Sequence, residues 1–507
     1  MPELRDDLLL SPERLARRRL ITTACLLAQF MAAVESTIVA TAMPTIVGDL
    51  GGFRLFSWVF AAYLLAQAAS TPVYGRLADL YGRKRVFFAG ASLFLAGSAA
   101  CGLAWGMVPL IVFRAIQGLG AGAIQPIAWT IVGDIYSPAD RARMQGWLSG
   151  VFGVSAIAGP ALGGFIVEHM HWSLVFWINL PVGVAAVAML CLLLEERIEP
   201  ARRRVDAVGA VLLMVGVGAL LSALVQATQL AAATIAALAS GGAFMLGLLA
   251  LHEARVEQPI LPFKIWRDPV IAIGNLGSLT IGVMMMCNSG YLPAYVQGAM
   301  GESPAVAGFV LGSSSVVWTI GTIWAGRMMI RSSYRSAGIA GSLVLLVGTA
   351  VLLTLEPQRG PLWAAAGAAT LGLGMGSCNT TFIVAVQTGV AWGERGAATA
   401  ANLFMRTIGQ ALGAALFGAV LTSGIARRVP EAGDAVNQLL QPAARASLGP
   451  ALMDRLIDAF ATTMHDAYFL VGALALLALV FTWCIPARLS PTRPAPGSAI
   501  ARGAADD

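Results

Sequence analysis

The feature that most constrains this chain is an apolar run that recurs along nearly its whole length. A helix of about 20 residues, at 1.5 Å per residue, crosses the roughly 30 Å hydrocarbon core of a bilayer. Only 12% of the 507 residues are charged, whereas soluble domains carry about 25%. The sequence therefore predicts an all-α polytopic membrane protein and argues against a water-soluble fold.

Fourteen spans can be assigned, which puts both termini on one side. Their predicted limits are 20-46, 57-80, 86-105, 107-134, 143-167, 173-194, 206-228, 231-252, 270-297, 304-328, 336-355, 361-390, 396-424 and 466-486. Cytoplasmic loops carry an excess of Lys and Arg. With the N-terminus inside, 25 of the 33 basic residues are cytoplasmic and six lie outside. We therefore expect both termini to be cytoplasmic. The net charge of +6 reflects this topology and does not indicate nucleic-acid binding.

An internal repeat organises the spans. The segment GLGAG at 118-122 matches GLGMG at 372-376, and GPALGG at 159-164 matches GAALFG at 413-418, both at an offset of 254. This offset covers eight spans, so both copies have the same orientation, and two six-helix bundles with a site between them are typical of alternating access. The predicted divisions are an N-terminal tail at 1-19, a bundle at 20-196, an inserted helix pair (spans 7 and 8) at 197-258, a bundle at 259-486 and a C-terminal tail at 487-507.

The second bundle contains the long outer loop 425-465. We expect a short amphipathic helix near 450-463, which either lies on the membrane surface or caps the exit.

Two charged residues lie deep in apolar spans, Glu35 in span 1 and Arg114 in span 4. A charge in hydrocarbon costs several kcal/mol unless it is paired or faces water. At 1.5 Å per residue, both lie roughly 10 Å below the outer face, so we expect them to approach each other. The pair is either a structural salt bridge or a proton-coupling site. Burial disfavours the ionised carboxyl group and the arginine favours it, so Glu35 could be balanced between two protonation states.

The loop after span 2 reads GRLADLYGRKR, residues 75-85. Glycine permits a tight turn, and the aspartate could pair with an arginine or with a helix N-terminus of the other bundle. Such a contact would hold the inner side shut, although a basic loop that only fixes topology is the alternative. The predicted latch residues are Gly75, Asp79, Gly82 and Arg83.

Span 5 combines small residues with a proline. A GxxxG pair lets helices approach closely, and an internal proline bends a helix and frees backbone carbonyls. Tight packing explains part of this pattern, and a pivot between the bundles is the functional interpretation. The predicted pivot residues are Gly150, Gly159, Pro160, Gly163 and Gly164.

Polar side chains also occur on spans 4, 9, 12 and 13. Interhelical hydrogen bonding would explain any one of them, whereas the group as a whole indicates the wall of a substrate cavity. Arg406 has no acidic partner within the spans, so it must face the cavity, a backbone carbonyl or water. The predicted cavity residues are Gln117, Asn288, Tyr291, Tyr295, Asn379, Gln387 and Arg406.

The sequence shows no pattern for catalysis or metal binding. The six cysteines and four histidines lack metal-ligand or redox spacing. The glycine-rich segments fit neither GxGxxG nor GxxxxGK[ST]. An enzyme is therefore disfavoured, and neither a cofactor nor a metal is expected.

Five stretches together resemble the major facilitator superfamily, specifically its fourteen-helix drug:proton antiporter branch. GRLADLYGRKR is similar to the superfamily's motif after span 2, FRAIQGLGAG to the span 4 motif associated with proton transfer, and GVSAIAGPALGG to the span 5 antiporter motif. HWSLVFWINLPVG, at residues 171-183, resembles a segment typical of the fourteen-helix branch. VESTIVATAMP resembles the span 1 motif, in which Glu35 replaces the usual aspartate.

The resemblance implies a proton-coupled efflux transporter in which Glu35 carries the proton. The expected substrates are amphipathic and lipophilic, with cations among them because Glu35 could pair with one. Two alternatives stay open, the export of one native metabolite such as a siderophore and the proton-coupled import of a nutrient. Lysine occurs only at 84 and 264, a bias that indicates a GC-rich bacterial genome, so we expect a bacterial inner membrane. We also expect a monomer.

Overall fold

The computed structural model describes residues 12-136, 138-194, 206-225, 230-256, 265-390, 395-431, 435-440, 445 and 448-487. Within these ranges the secondary structure is helical and contains no β-strand. The predicted all-α class is therefore confirmed. The side with the predicted cytoplasmic loops is the inner side, and the opposite side is the outer side.

Long helices build the first half of the chain. Their bounds are α1 (Pro12–Leu50), α2 (Phe56–Tyr81), α3 (Arg83–Gly102), α4 (Met107–Ile135), α5 (Pro138–His169), α6 (Leu174–Trp177) and α7 (Asn179–Leu193). Helix α4 packs against α2 and α3, and α1 packs against α5 and α7. A separate pair follows, α8 (Ala207–Val225) and α9 (Ala232–Glu253), which pack on each other.

The second half repeats this arrangement. Its helices are α10 (Pro269–Met286), α11 (Leu292–Gly298), α12 (Pro304–Arg331), α13 (Tyr334–Leu353), α14 (Gly360–Thr388), α15 (Arg395–Arg428), α16 (Ala435–Leu440) and α17 (Pro450–Cys484). A π-helix, Cys287–Tyr291, joins α10 to α11. Helix α14 packs against α12 and α13, and α10 packs against α15, as their counterparts do in the first half.

In the part of the chain that the structure describes, eleven helical segments are long and apolar enough to cross a membrane. The three other predicted spans correspond to α2, α5 and α8, which are helices of 26, 32 and 19 residues. The chain is therefore a multi-pass membrane protein. The count of fourteen spans and the division limits stay predictions.

Glycines allow helices to approach closely at equivalent places in the two bundles. A methyl group at Gly118 of α4 would overlap the carbonyl oxygen of Tyr63 in α2. A methyl group at Gly372 of α14 would likewise overlap the carbonyl oxygen of Ser314 in α12. Because a side chain would collide with backbone at both places, only glycine fits. The repeat in the sequence thus corresponds to a repeated helix contact.

The two bundles touch at the outer side. Gly164 of α5 packs against the start of α12, and Gly418 of α15 packs against Ser57 of α2. The Nε2 amide of Gln297, in α11, donates a hydrogen bond of 3.1 Å to the Thr41 carbonyl in α1. These contacts close the outer end of the interface between the bundles.

The outer segment differs from the predicted one. Helix α17 runs without a break from Pro450 to Cys484, so the stretch near 450-463 is an outward extension of the last span and not a separate helix. The reason is local, because no proline or glycine interrupts the chain between Pro450 and the span. The ring of Phe460 lies 6.3 Å from that of Phe53. Asn437 of α16 accepts a hydrogen bond of 2.9 Å from the Phe53 backbone N–H, so this segment covers the bundle contact.

Two glycines of α12 provide a matched test of the contact between the bundles. A methyl group at Gly308 would overlap the Pro160 carbonyl of α5, whereas nothing lies within 4 Å of such a group at Gly312. We expect Gly308→Leu to force the helices apart and to lower stability by about 1–3 kcal/mol, the usual cost of overpacking. Gly312→Leu should be nearly neutral. Thermal unfolding of both purified variants in one detergent measures the difference, and equal Tm values would contradict this packing.

Candidate functional site

The predicted pair of Glu35 and Arg114 meets inside the first bundle. Helices α1 and α4 bring Nη1 of Arg114 into an ion pair with Oε1 of Glu35. The Glu35 side chain is 0% exposed and that of Arg114 is 1% exposed. Because removing either partner would leave an isolated charge away from water, the two residues depend on each other.

Hydrogen bonds complete the surroundings of the ion pair. Asn179 of α7 donates from Nδ2 to the second oxygen of Glu35, Oε2. Arg114 donates from Nη1 to Oε1 of Gln117 at 2.7 Å. Ser98 of α3 accepts hydrogen bonds from Nε2 of Gln117 at 3.1 Å and from Nδ2 of Asn179 at 3.0 Å. Both carboxylate oxygens therefore have a partner, as buried polar groups require.

The guanidinium group of Arg114 is also held by α2. Its Nε donates to the Val59 carbonyl at 3.3 Å, and its central carbon lies 4.0 Å from the centroid of the Tyr63 ring. A cation over an aromatic face is attracted by the ring quadrupole. Arg114 is thus fixed by the carboxylate, by a backbone carbonyl and by an aromatic ring.

The carboxyl group of Glu35 is closed off in this conformation. Its ion pair and hydrogen bonds involve α1, α4 and α7, and none of its surface is exposed. A proton could reach it only after these helices separate. The geometry as it stands matches a structural salt bridge, and a proton-coupling role requires a second arrangement in which the ion pair opens. That role stays a prediction.

The predicted latch is only partly described. Gly82 joins α2 to α3 with φ of 87° and ψ of 150°. This positive φ favours glycine and agrees with the expected turn. Nothing lies within 4 Å of a methyl group placed on Gly75, and Arg83 is half-buried. The side chain of Asp79 lies outside the described residues, so the latch stays a prediction.

The glycines of the predicted pivot pack against helices of both bundles. A methyl group at Gly159 would overlap Thr37 of α1, and one at Gly163 would lie 2.9 Å from the Ile38 carbonyl. Another face of α5 meets α12, through the Pro160 carbonyl and Gly164. Helix α5 is therefore packed against both bundles. The surroundings of Gly150, in the same helix, lie outside the described residues, and the pivot role stays a prediction.

Four of the predicted cavity residues are enclosed by protein. Gln117 belongs to the ion-pair network, and Asn288 donates a hydrogen bond of 2.9 Å to Ser314 in α12. The hydroxyls of Tyr291 and Tyr295 donate to backbone carbonyls of α15 and of the chain after α13. All four are at most 3% exposed, so they do not line an open cavity here. These contacts agree with interhelical hydrogen bonding, the alternative considered from the sequence, and the cavity role of the four residues stays a prediction.

The remaining three predicted cavity residues are half-buried, and their role stays a prediction. Gln387 donates a hydrogen bond of 3.1 Å to Thr399. Asn379 lies on the same helix, α14, two turns further outward. Arg406 lies on α15, the neighbouring helix.

Sequence reasoning missed Asn179 and Ser98 as members of the ion-pair network. In the sequence Asn179 appears only within the segment HWSLVFWINLPVG, and the structure shows that α6 ends at Trp177 and α7 begins at Asn179. The available signal was its depth, because a lone amide inside an apolar span needs a partner. Nothing in the sequence indicated that this partner would be Glu35.

Removing one charge from the pair should cost more than removing one hydrogen bond. Arg114→Met leaves the Glu35 carboxylate buried without its cation, which we expect to cost about 3–5 kcal/mol. Asn179→Leu removes one donor, and we expect about 1–3 kcal/mol. The double variant Glu35→Gln, Arg114→Met should recover part of the loss, because no buried charge remains. Thermal unfolding in detergent measures all three, and a double variant less stable than Arg114→Met would contradict this account.

Comparison with known proteins agrees with this fold. Residues 25–414 match the Major Facilitator Superfamily. Multidrug resistance protein 3 of Bacillus subtilis is 32% identical over 487 residues, which cover 92% of this chain and 94% of that protein. Multidrug transporter protein MdtP of the same organism is 33% identical over 411 residues, which cover 80% and 76%.

Among solved structures, a bacterial homologue of the human lysosomal transporter Spinster, in an inward-facing and occupied conformation, shares the fold. Its TM-score is 0.69 at 16% identity, and the match covers 94% of this chain and 99% of that chain. At this identity the likeness shows the fold alone. The chain therefore belongs to the Major Facilitator Superfamily and is a multi-pass membrane transporter and not an enzyme.

Proposed function

We propose that the protein is a proton-coupled efflux transporter that exports amphipathic, lipophilic small molecules by alternating access. Export is supported by the names of two relatives, a multidrug resistance protein and a multidrug transporter. One observation carries the coupling step. Among the described membrane helices, Glu35 is the one carboxylate that lies deep in the apolar region, and it is paired with Arg114. The proposed setting is a bacterial inner membrane, with both termini in the cytoplasm.

A proton on Glu35 would change the balance of charge inside the first bundle. The neutral carboxyl group would no longer offset the charge of Arg114, and the contact between α1 and α4 would weaken. Glu35 lies two residues before Thr37, which packs against Gly159 of α5. Helix α5 also contacts α12 through Gly164. A displacement of α1 would therefore act on the helix that lies between the bundles.

The structure offers no free carboxylate for a cationic substrate in the described part of this site. One oxygen of Glu35 is bound by Arg114 and the other by Asn179. A positive charge on the substrate would have to displace one of them. The proposed substrates are therefore lipophilic molecules, without a preference for cations.

The decisive test is transport into and out of proteoliposomes with a panel of neutral, cationic and anionic lipophilic dyes. We expect wild-type protein to move at least one dye against its gradient after a pH jump. Glu35→Gln, which keeps the size and mimics the protonated carboxyl group at every pH, should abolish this movement and retain downhill counterflow. Glu356→Gln is the matched control, since Glu356 is an outer carboxylate that is 57% exposed.

Each other outcome has a distinct meaning. Undiminished pH-driven transport by Glu35→Gln would rule out the proton role. A folded Glu35→Gln protein that loses counterflow as well would favour the structural salt bridge. Proton-driven accumulation in the import direction would favour a nutrient symporter, and transport of one metabolite without the dyes would favour a dedicated exporter.

A further inference from the structure

Arg406 is a second arginine that lies deep in the membrane-spanning region. It is in α15, eleven residues beyond Arg395 where that helix begins, which corresponds to roughly 16 Å along the helix axis at 1.5 Å per residue. Arg406 therefore lies within the apolar stretch of α15, Ala401–Arg428, and not at the end of the helix. No Asp or Glu occurs in α10, α11, α12, α13, α14 or α15. These six helices, as far as the structure describes them, thus supply no carboxylate at the depth of this charge.

The guanidinium group also lacks hydrogen-bond acceptors. Its Nε is buried without a partner, and no described residue accepts a hydrogen bond from it. The neighbouring turns are well satisfied. Asn402 donates to Asn275 at 3.1 Å and to Ser278 at 2.8 Å, and Gln410 donates to a methionine sulfur of α10 at 2.8 Å. Helix α15 is therefore anchored on both sides of an arginine that makes no such bond.

The two deep arginines have opposite surroundings. Arg114 is 1% exposed, and it has an ion pair, hydrogen bonds and an aromatic ring beside it. Arg406 is half-buried and has none of these among the described residues. Helix α15 contacts α10 of its own bundle and α2 of the other bundle. Arg406 thus lies on a helix of the bundle interface, where alternating access opens a path for substrate.

We infer that Arg406 binds the oxyanion of the substrate, and that the transporter takes amphipathic molecules with a carboxylate or a similar anionic group. The missing counter-ion would then arrive with the substrate. A guanidinium binds such groups through two parallel hydrogen bonds, which makes the contact strong and directional. An unpaired arginine inside the membrane costs several kcal/mol, and an anionic group bound to Arg406 would lower that cost by pairing with its charge. This inference rests on the proposed function for transport, but binding can be measured without it.

The test is equilibrium binding to the full-length protein in nanodiscs of neutral lipid. Dansyl-undecanoic acid and its methyl ester are suitable probes, because they differ only in the charged group. We expect wild-type protein to bind the acid more tightly than the ester, and Arg406→Gln to lose that preference with its affinity for the ester unchanged. Arg406→Lys keeps the charge without the paired donors, so it should retain part of the preference. Arg359→Gln is the matched control, since Arg359 is an outer residue that is 42% exposed.

Equal wild-type affinity for the acid and the ester would overturn the inference, as would a preference for the acid that survives in Arg406→Gln. A second measurement needs no variant. A diazirine derivative of the acid should label wild-type peptides from α15 around Arg406, and labelling confined to other helices would overturn the inference. Because binding requires no gradient, failure here leaves proton-coupled export untouched. Loss of pH-driven export would in turn leave the binding result standing.

Discussion

The cost of holding a charge inside hydrocarbon determines how the first bundle is built. The carboxylate of Glu35 cannot remain there without a partner, and neither can the guanidinium of Arg114. Their ion pair joins α1 to α4, and other atoms of the pair are bound by groups of α2 and α7. Helix α3 joins the network through Ser98, which accepts hydrogen bonds from Gln117 and Asn179. The relative positions of five helices are therefore constrained, because two buried charges need an ion pair and hydrogen-bond partners. Lipid offers little hydrophobic drive for helix association, so such polar contacts have a large influence on the arrangement.

The second bundle uses the same scaffold without the ion pair. Gly372 approaches α12 as Gly118 approaches α2, so the backbones of the two halves meet in the same way. The polar chemistry differs. The second bundle contains the hydrogen-bonded cluster of Asn402 and Asn275, and its one deep charge, Arg406, has no described partner. A repeated backbone thus holds a neutral, buried ion pair in one half and an arginine without a described partner in the other.

Local physics made much of this predictable from the sequence. Apolar length and a positive-inside charge bias indicated the helices, and the shared depth of Glu35 and Arg114 indicated their pairing. Features that depend on tertiary contacts were not predictable. Asn179 looks like any polar residue at a helix start until α7 is seen to face α1. Tyr291 is a polar aromatic residue that would suit a cavity wall, but it is buried at the end of the π-helix, and its hydroxyl donates to a backbone carbonyl of α15.

In the described conformation the outer side is closed and Glu35 is buried, and this links the protonation of Glu35 to the opening of the outer side. The outer end is closed by contacts such as Gln297 with Thr41, and Glu35, six residues before Thr41 in the same helix, is sealed. Entry of a proton from outside requires α1 to leave these neighbours. A proton that binds only after α1 has moved will favour the moved state, because a ligand shifts an equilibrium toward the state that it binds. If Glu35 carries the proton, its complete burial in the closed state is then what ties protonation to outward opening, since a carboxylate open to water in both states could not distinguish between them.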